Sequence, residues 1–387
     1  MSADRVVANR GTSNHLLGRQ RVSERAPRSA YTDAGVNVLA GARAIDMLRE
    51  RLRTSEHDVL GGIGGFGAVL ELPAGYRRPV LVTATDGVGT KTEICRALDR
   101  LDTIGLDLVA MCADDVVCHG ARPAFFLDYV ALGRLDPARV ARLVGGIADG
   151  CEQIGCDLVG GETAEHPGLM EPDAFDLAGF CIGLVEREDL IDGAGARAGD
   201  VVIGLASSGL HSNGYSLVRA LMARHDLGLH EPFDDLLERH GVEDGDEVGS
   251  TLGEVLLTPT RLYAPSVLEL RDALRLRGLR LSGLAHVTGG GLASNLPRAV
   301  LPALGIRLTL GSWPVPRIFD LLAQLGGLDG AEMRATFNCG VGMAAVVEPA
   351  AVDTAVEFFG DRGIAAWPVG ELRPADELGP ARYTEVE

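Results

Sequence analysis

Three stretches carry residue types suited to phosphate chemistry. They are Asp86-Gly87-Val88-Gly89-Thr90-Lys91, residues 207–214 (SSGLHSNG) and His286-Val287-Thr288-Gly289-Gly290-Gly291. Each reads as the end of a strand, a Gly/Ser-rich loop and the start of a helix. A helix start offers unpaired N–H groups and the positive end of a dipole, so phosphate binds there without a basic field around it. Three such loops predict two or more phosphate groups, as in a nucleotide plus a phosphorylated substrate. Of the 36 basic residues one is a lysine, Lys91, and the rest are arginine. A compact ammonium where the chain otherwise uses a planar fork points to a slot that the fork does not fit.

Carboxylates stand close to these loops. Asp86 ends a strand, Asp107 and Asp114 lie two turns apart on one helix, and Asp115 is offset from Asp107 by ~80°. Glu162 follows Gly160-Gly161, just past a strand-like run. Mg²⁺ takes oxygen ligands and bridges carboxylates to phosphates, so Asp86, Asp107 and Asp115 are its candidate ligands. His211 and His286 sit inside Gly/Ser loops, where a histidine serves as acid, base or charge stabiliser, or holds loop backbone in place. Two familiar motifs fail. A Walker A loop needs Gly before its Lys, and Thr90 precedes Lys91. Residues 62–67 match G-x-G-x-x-G but run into a strand-like segment, so they read as a lid, a phosphate cover or a hairpin turn.

The elements that position these groups alternate. Helical period covers residues 37–52, 92–99, 103–119, 136–155, 215–224, 260–276, 316–326 and 350–360, and β-rich runs cover 79–85, 124–132, 156–160, 177–185, 201–206, 305–310, 340–347 and 365–369. Residues 225–253 read as acidic and irregular. The class is α/β (α+β), with a mixed sheet and helices in each half. Residues 1–30, with six Arg against Asp4 and Glu24, read as a disordered basic tail. A polar Gly/Ala-rich run at 192–200 then divides domain 31–190 from domain 191–387.

Net charge is −18 over 387 residues, which argues against nucleic acid or an anionic membrane as partner. No apolar run is long enough to span a bilayer, and no secretory signal is evident. The seven cysteines are scattered without a C-x-x-C pair, as expected of reduced, buried thiols in a cytoplasmic protein.

Taken in order, YTDAGV (31–36), GGIGGFGA (61–68), TDGVGTK (85–91), DTIGLDLVAMCADD (102–115), FFLDY (125–129), GGETAEHPG (160–168), SSGLHSNGYSLVR (207–219), TPTR (258–261), HVTGGGLASNLPR (286–298) and EMRATFNCGVGM (332–343) resemble the aminoimidazole ribonucleotide synthetase (phosphoribosylformylglycinamidine cyclo-ligase) family. The resemblance implies ATP-driven ring closure of formylglycinamidine ribonucleotide in purine synthesis. It implies a homodimer whose N-terminal sheets pair into a barrel, with ATP, Mg²⁺ and a phosphoribosyl substrate as ligands. It places ATP at Gly61, Gly62, Gly64, Gly65, Gly87, Gly89, Thr90, Lys91 and Glu162. Substrate phosphate falls to Ser212, Asn213, Thr288, Gly289, Gly290 and Gly291, and catalysis to Lys91, His211 and His286. Asp114 and Asn37 depart from the family pattern, which has Asn and Asp there. These departures leave open a paralogue with another substrate or an ATP-binding subunit without turnover.

Overall fold

The computed structural model describes Arg43, residues 67–243 and residues 250–387. The expected tail, the helix over 37–52 apart from Arg43, and Gly61, Gly62, Gly64 and Gly65 lie outside the described residues.

The N-terminal half is a four-stranded sheet with helices on one face. The strands are β1 (Pro79–Gly87), β2 (Arg122–Leu132), β3 (Asp157–Glu165) and β4 (Phe175–Glu186), in the order β1-β4-β2-β3. β2 pairs with β3 in parallel and with β4 antiparallel. The helices are α1 (Lys91–Leu98), α2 (Ile104–Val117) and α3 (Pro137–Gln153). Asp136 starts α3 by accepting the N–H groups of Ala138 and Arg139, and Pro137 fits the first turn because no partner is needed for its nitrogen. The α2 face of the sheet depends on glycines. A Cβ at Gly179 would lie 2.6 Å from Phe126, and one at Gly183 would lie 2.3 Å from Val116 of α2. The opposite face exposes Leu81 and Phe180.

The strand expected over 156–160 runs on to Glu165 as β3. Its glycines belong to a strand because Gly161 pairs with Asp128, whose side chain occupies the space that a Cβ at position 161 would fill.

The C-terminal half is a six-stranded sheet of β5 (Val201–Ala206), β6 (Leu281–His286), β7 (Leu304–Thr309), β8 (Val341–Val347), β9 (Ala366–Pro374) and β10 (Tyr383–Val386). Its order is β10-β7-β9-β5-β8-β6, and only β10 and β7 are parallel. All of β8 is buried, as its apolar sequence VGMAAVV requires. The helices are α4 (Tyr215–His225), α5 (Phe233–Arg239), α6 (Leu252–Leu256), α7 (Ala264–Leu276), α8 (Gly291–Asn295), α9 (Arg317–Gly326), α10 (Gly330–Thr336) and α11 (Val352–Gly360). The stretch read as irregular therefore contains α5 and α6. Phe233, Leu236 and Leu237 bury one side of α5, and its acidic residues face outward. No helix among the described residues is long and apolar enough to cross a membrane.

Helices α2 and α3 meet backbone to backbone. A Cβ at Gly105 would stand 2.1 Å from the Ile147 nitrogen. Gly105→Ala is expected to destabilise the protein by ~2 kcal/mol or more through forced separation of the helices. Gly360→Ala, with open space around it, is expected to stay within ~0.5 kcal/mol of the parent. Urea unfolding of both variants checks the contrast.

Candidate active site

Lys91 is the first residue of α1 and is fully buried. Its ammonium donates to Asp107 Oδ1 at 2.8 Å, to the Thr258 carbonyl at 2.8 Å and to the His211 carbonyl at 2.9 Å. All three protons are used. Asp107 is equally buried, and its Oδ1 also accepts the Thr260 N–H (2.7 Å), the Thr260 hydroxyl (2.6 Å) and the Ser212 hydroxyl (3.2 Å). One ion pair from the N-terminal half thus holds two loops of the C-terminal half. The structure places Lys91, expected on a phosphate, with all three protons on internal acceptors, and Asp107, expected on a metal, as the anchor of two loops. The Ser212 side chain is likewise turned into this cluster, against the expectation that it meets phosphate.

The anchored loops converge. A Cβ at Gly89 would lie 3.7 Å from the Ser212 carbonyl, and one at Gly289 would lie 3.4 Å from Asn213 Oδ1. Thr90 Oγ1 is 3.3 Å from Ser216 Oγ at the start of α4. The three loops singled out in the sequence therefore meet around Gly89, Asn213 and Gly289. Gly290 and Gly291 take positive φ, and a Cβ on Gly291 would strike the Arg334 carbonyl of α10 at 1.9 Å. The side-chain amide of Asn295, a residue the sequence reading did not single out, donates to the carbonyls of Thr288, Gly289 and Gly291 and fixes this loop. Glu162 is exposed on β3, where its carboxylate accepts the Thr163 N–H.

The two histidines separate by environment. His211 is buried in a left-handed conformation (φ 64°), and its Nε2 accepts the Ser208 N–H. Burial, together with the charges of His286, Lys91 and Arg261, holds its pKa well below the usual value. It is a neutral loop anchor, which corrects its expected role as acid or base. His286 ends β6, and its Nδ1 lies 3.0 Å from Asp115 Oδ1. A carboxylate only accepts, so Nδ1 carries a proton, and in the neutral ring Nε2 presents a lone pair. Nε2 is buried without a protein partner. Burial alone would lower the pKa of His286, but the Asp115 hydrogen bond and the charges of Asp114, Asp115 and Asp86 raise it. The ring lines a cavity of about 410 Å³ between the edge of β1 and β6, which Asp115, His119, Asn295 and Arg298 also line.

Asp86 completes this corner. Burial raises its pKa, and repulsion from Asp115 adds to the effect against the Gly87 N–H and His286. Two carboxylates that repel each other at a partly buried site suit a divalent cation, which would favour both charges. No group of three or more His, Cys, Asp or Glu side chains among the described residues could hold a metal ion by itself.

Comparison with known proteins follows this geometry. The family model described as "AIR synthase related protein, N-terminal domain" matches residues 67–185, and its C-terminal counterpart matches residues 197–380. A curated phosphoribosylformylglycinamidine cyclo-ligase of Geobacillus kaustophilus is 46% identical over 89% of this chain and 95% of its own length. The chain belongs to the AIR synthase family. Its fold is shared more widely. Thiamine-monophosphate kinase from Stenotrophomonas maltophilia superimposes with a TM-score of 0.59 at 18% identity, covering 86% of this chain and 93% of that one. Hydrogenase maturation protein HypE in complex with ATP gives 0.61 at 19% identity, covering 91% and 93%.

Position 114 has a local requirement. Asp114 is fully buried, and its carboxylate accepts the N–H groups of Tyr263 and Ala264 at the start of α7. The position requires an acceptor at a helix start, which the oxygen of Asn also supplies. All seven cysteines are free; Cys95 is buried and its thiol pushed up to about 12, which leaves it unreactive.

Two outcomes follow from these burials. Lys91→Arg keeps the charge but must fit a fork into a sealed slot with three fixed acceptors. It is expected to lower kcat at least ~10-fold, and kinetics equal to the parent would show that the slot does not discriminate. Asp128, buried on β2 with one carboxylate oxygen unpartnered, has its pKa pushed up to about 7 by burial. The folded state therefore binds that proton more tightly than the unfolded state. The contribution of Asp128 to stability is greatest near pH 4 and falls as pH rises toward 7. Asp128→Asn should gain on the parent across that window, by roughly 1–4 kcal/mol at pH 8, as measured by urea unfolding at pH 5 and 8.

Proposed function

We propose that the chain closes the imidazole ring of formylglycinamidine ribonucleotide to aminoimidazole ribonucleotide, consuming ATP and releasing ADP and phosphate. The observation that carries this reading is the meeting of three glycine loops beside one oriented histidine. The cyclo-ligase name of a relative 46% identical over nearly its whole length supports the substrate.

A formamide carbonyl is a weak electrophile, and its oxygen leaves poorly. Transfer of the γ-phosphoryl group of ATP to that oxygen answers both problems. The amidine nitrogen then attacks the formyl carbon, the carbon–oxygen bond breaks and phosphate departs. Phosphoryl transfer asks mainly for positioning and for neutral surroundings to negative charge. Backbone amides of the loop at Gly87–Thr90 would receive the triphosphate, and those at Asn213 and Thr288–Gly289 the ribose phosphate. The γ-phosphoryl then lies where the loops meet. Asp86 and Asp115 would hold Mg²⁺, which when bound spreads the phosphate charge. His286 Nε2 takes the proton that the amidine nitrogen gives up on ring closure, and Asp115 keeps the ring turned for it.

A second copy of the chain would cover the exposed Leu81 and Phe180 face of the four-stranded sheet, forming the homodimer. ATP and the phosphoribosyl substrate are the small-molecule partners of this reading, in the cytoplasm.

Purified protein with Mg²⁺, ATP and formylglycinamidine ribonucleotide should release one ADP per ring closed. No substrate-dependent ADP at saturating concentrations would contradict the reading. His286→Asn should lower kcat by ~10²–10⁴.

A further inference from the structure

The ion pair between Lys91 and Asp107 takes part in no step above, yet it uses every proton of the only lysine and four donors on one carboxylate oxygen. Its partners lie in the other half of the molecule. Thr260 supplies two of the four donors, through its N–H at 2.7 Å and its hydroxyl at 2.6 Å, and the hydroxyl also meets Ser212 Oγ at 3.1 Å. Thr260 is itself buried. It comes just before α7, whose start is held by Asp114 of the same helix, α2, that carries Asp107.

We propose that Thr260 is a positioning residue that sets the register between the loop at 86–91 and the loop at 207–214. Each loop rests on a different half of the protein. Helix α1 begins at Lys91, so a shift of its ammonium moves the Gly87–Thr90 amides. The second loop is tied to the same cluster at the His211 carbonyl and the Ser212 hydroxyl. The Thr260 hydroxyl bridges Asp107 and Ser212, so one group touches the anchors of both loops. Either loop can bind its own ligand alone, whereas transfer between the two ligands requires them in register. The inference rests on the cyclo-ligase reading for its kinetic readout only.

The test compares Thr260→Val, which keeps the shape and removes the hydroxyl, with Thr260→Ser, which keeps the hydroxyl. The Val variant should lose kcat by ~100-fold with both KM values within ~3-fold, because the lost interaction acts in the transition state. The Ser variant should recover kcat to within ~3-fold of the parent. Ser282→Ala, which removes another buried hydroxyl of the same half, should lower the unfolding temperature without changing kcat. A Val variant with parental kcat, or a Ser variant as slow as Val, overturns the proposal. If Val does not fold, Thr260→Ala is read by the same criteria. Amide hydrogen exchange needs no turnover. Faster exchange at both 86–91 and 207–214 in the Val variant, reversed in Ser, supports the proposal, and unchanged exchange overturns it. An inactive parent protein removes the cyclo-ligase reading alone, and the exchange result then decides the positioning role.

Discussion

A buried ammonium and carboxylate, 2.8 Å apart and sealed from water, join the halves of this molecule. Removing two charges from water costs several kcal/mol each, and their attraction offsets that only where the remaining protons and lone pairs are satisfied. Here the lysine has three acceptors and one oxygen of the aspartate has four donors, while its other oxygen, Oδ2, is buried without a partner. The arrangement is demanding in geometry: a change at any contributor leaves a charge without its partners. Such a joint favours a single relative placement of the segments that meet there, and those segments are the glycine loops.

The same economy of positive charge extends to the site. With a net charge of −18, the protein has no bulk attraction for a triphosphate. Its single ammonium is spent internally. What remains for phosphate is backbone N–H at loops and helix starts, and a pair of carboxylates, Asp86 and Asp115, whose mutual repulsion a divalent ion would relieve. On the proposed reading, negative charge at the site would recruit the cation that accompanies the nucleotide. His286 is prepared differently, by a carboxylate that fixes which nitrogen holds the proton.

Much of this was legible in the sequence where the pattern is local. Strand and helix periods located β1, β2, β4, β5 and α1–α3 to within a few residues, and Gly-rich punctuation located the three loops. What was missed depends on distant partners. β10 is four residues long and exists because it pairs with β7. β6 contains Ser and Gly in place of branched residues and is stabilised by β8. The strand reading stopped at Gly160 because the side chain of Asp128, which requires Gly161, lies on another strand. Residue type identified Lys91, Asp107, Ser212 and His211 as unusual, but not the direction in which each side chain points. Thr260 and Asn295 gave no sign beyond membership in TPTR and in HVTGGGLASNLPR, because their work is done on carbonyls and carboxylates that only folding brings near.

A structure of the full chain with a non-hydrolysable ATP analogue and Mg²⁺ examines the central claim most directly. The triphosphate should lie where the loops at 86–91 and 207–214 meet, held by backbone amides and the cation, with the Lys91 ammonium still on Asp107, Thr258 and His211. A Lys91 side chain released from Asp107 to a phosphate oxygen, or a triphosphate bound away from these loops, would contradict it.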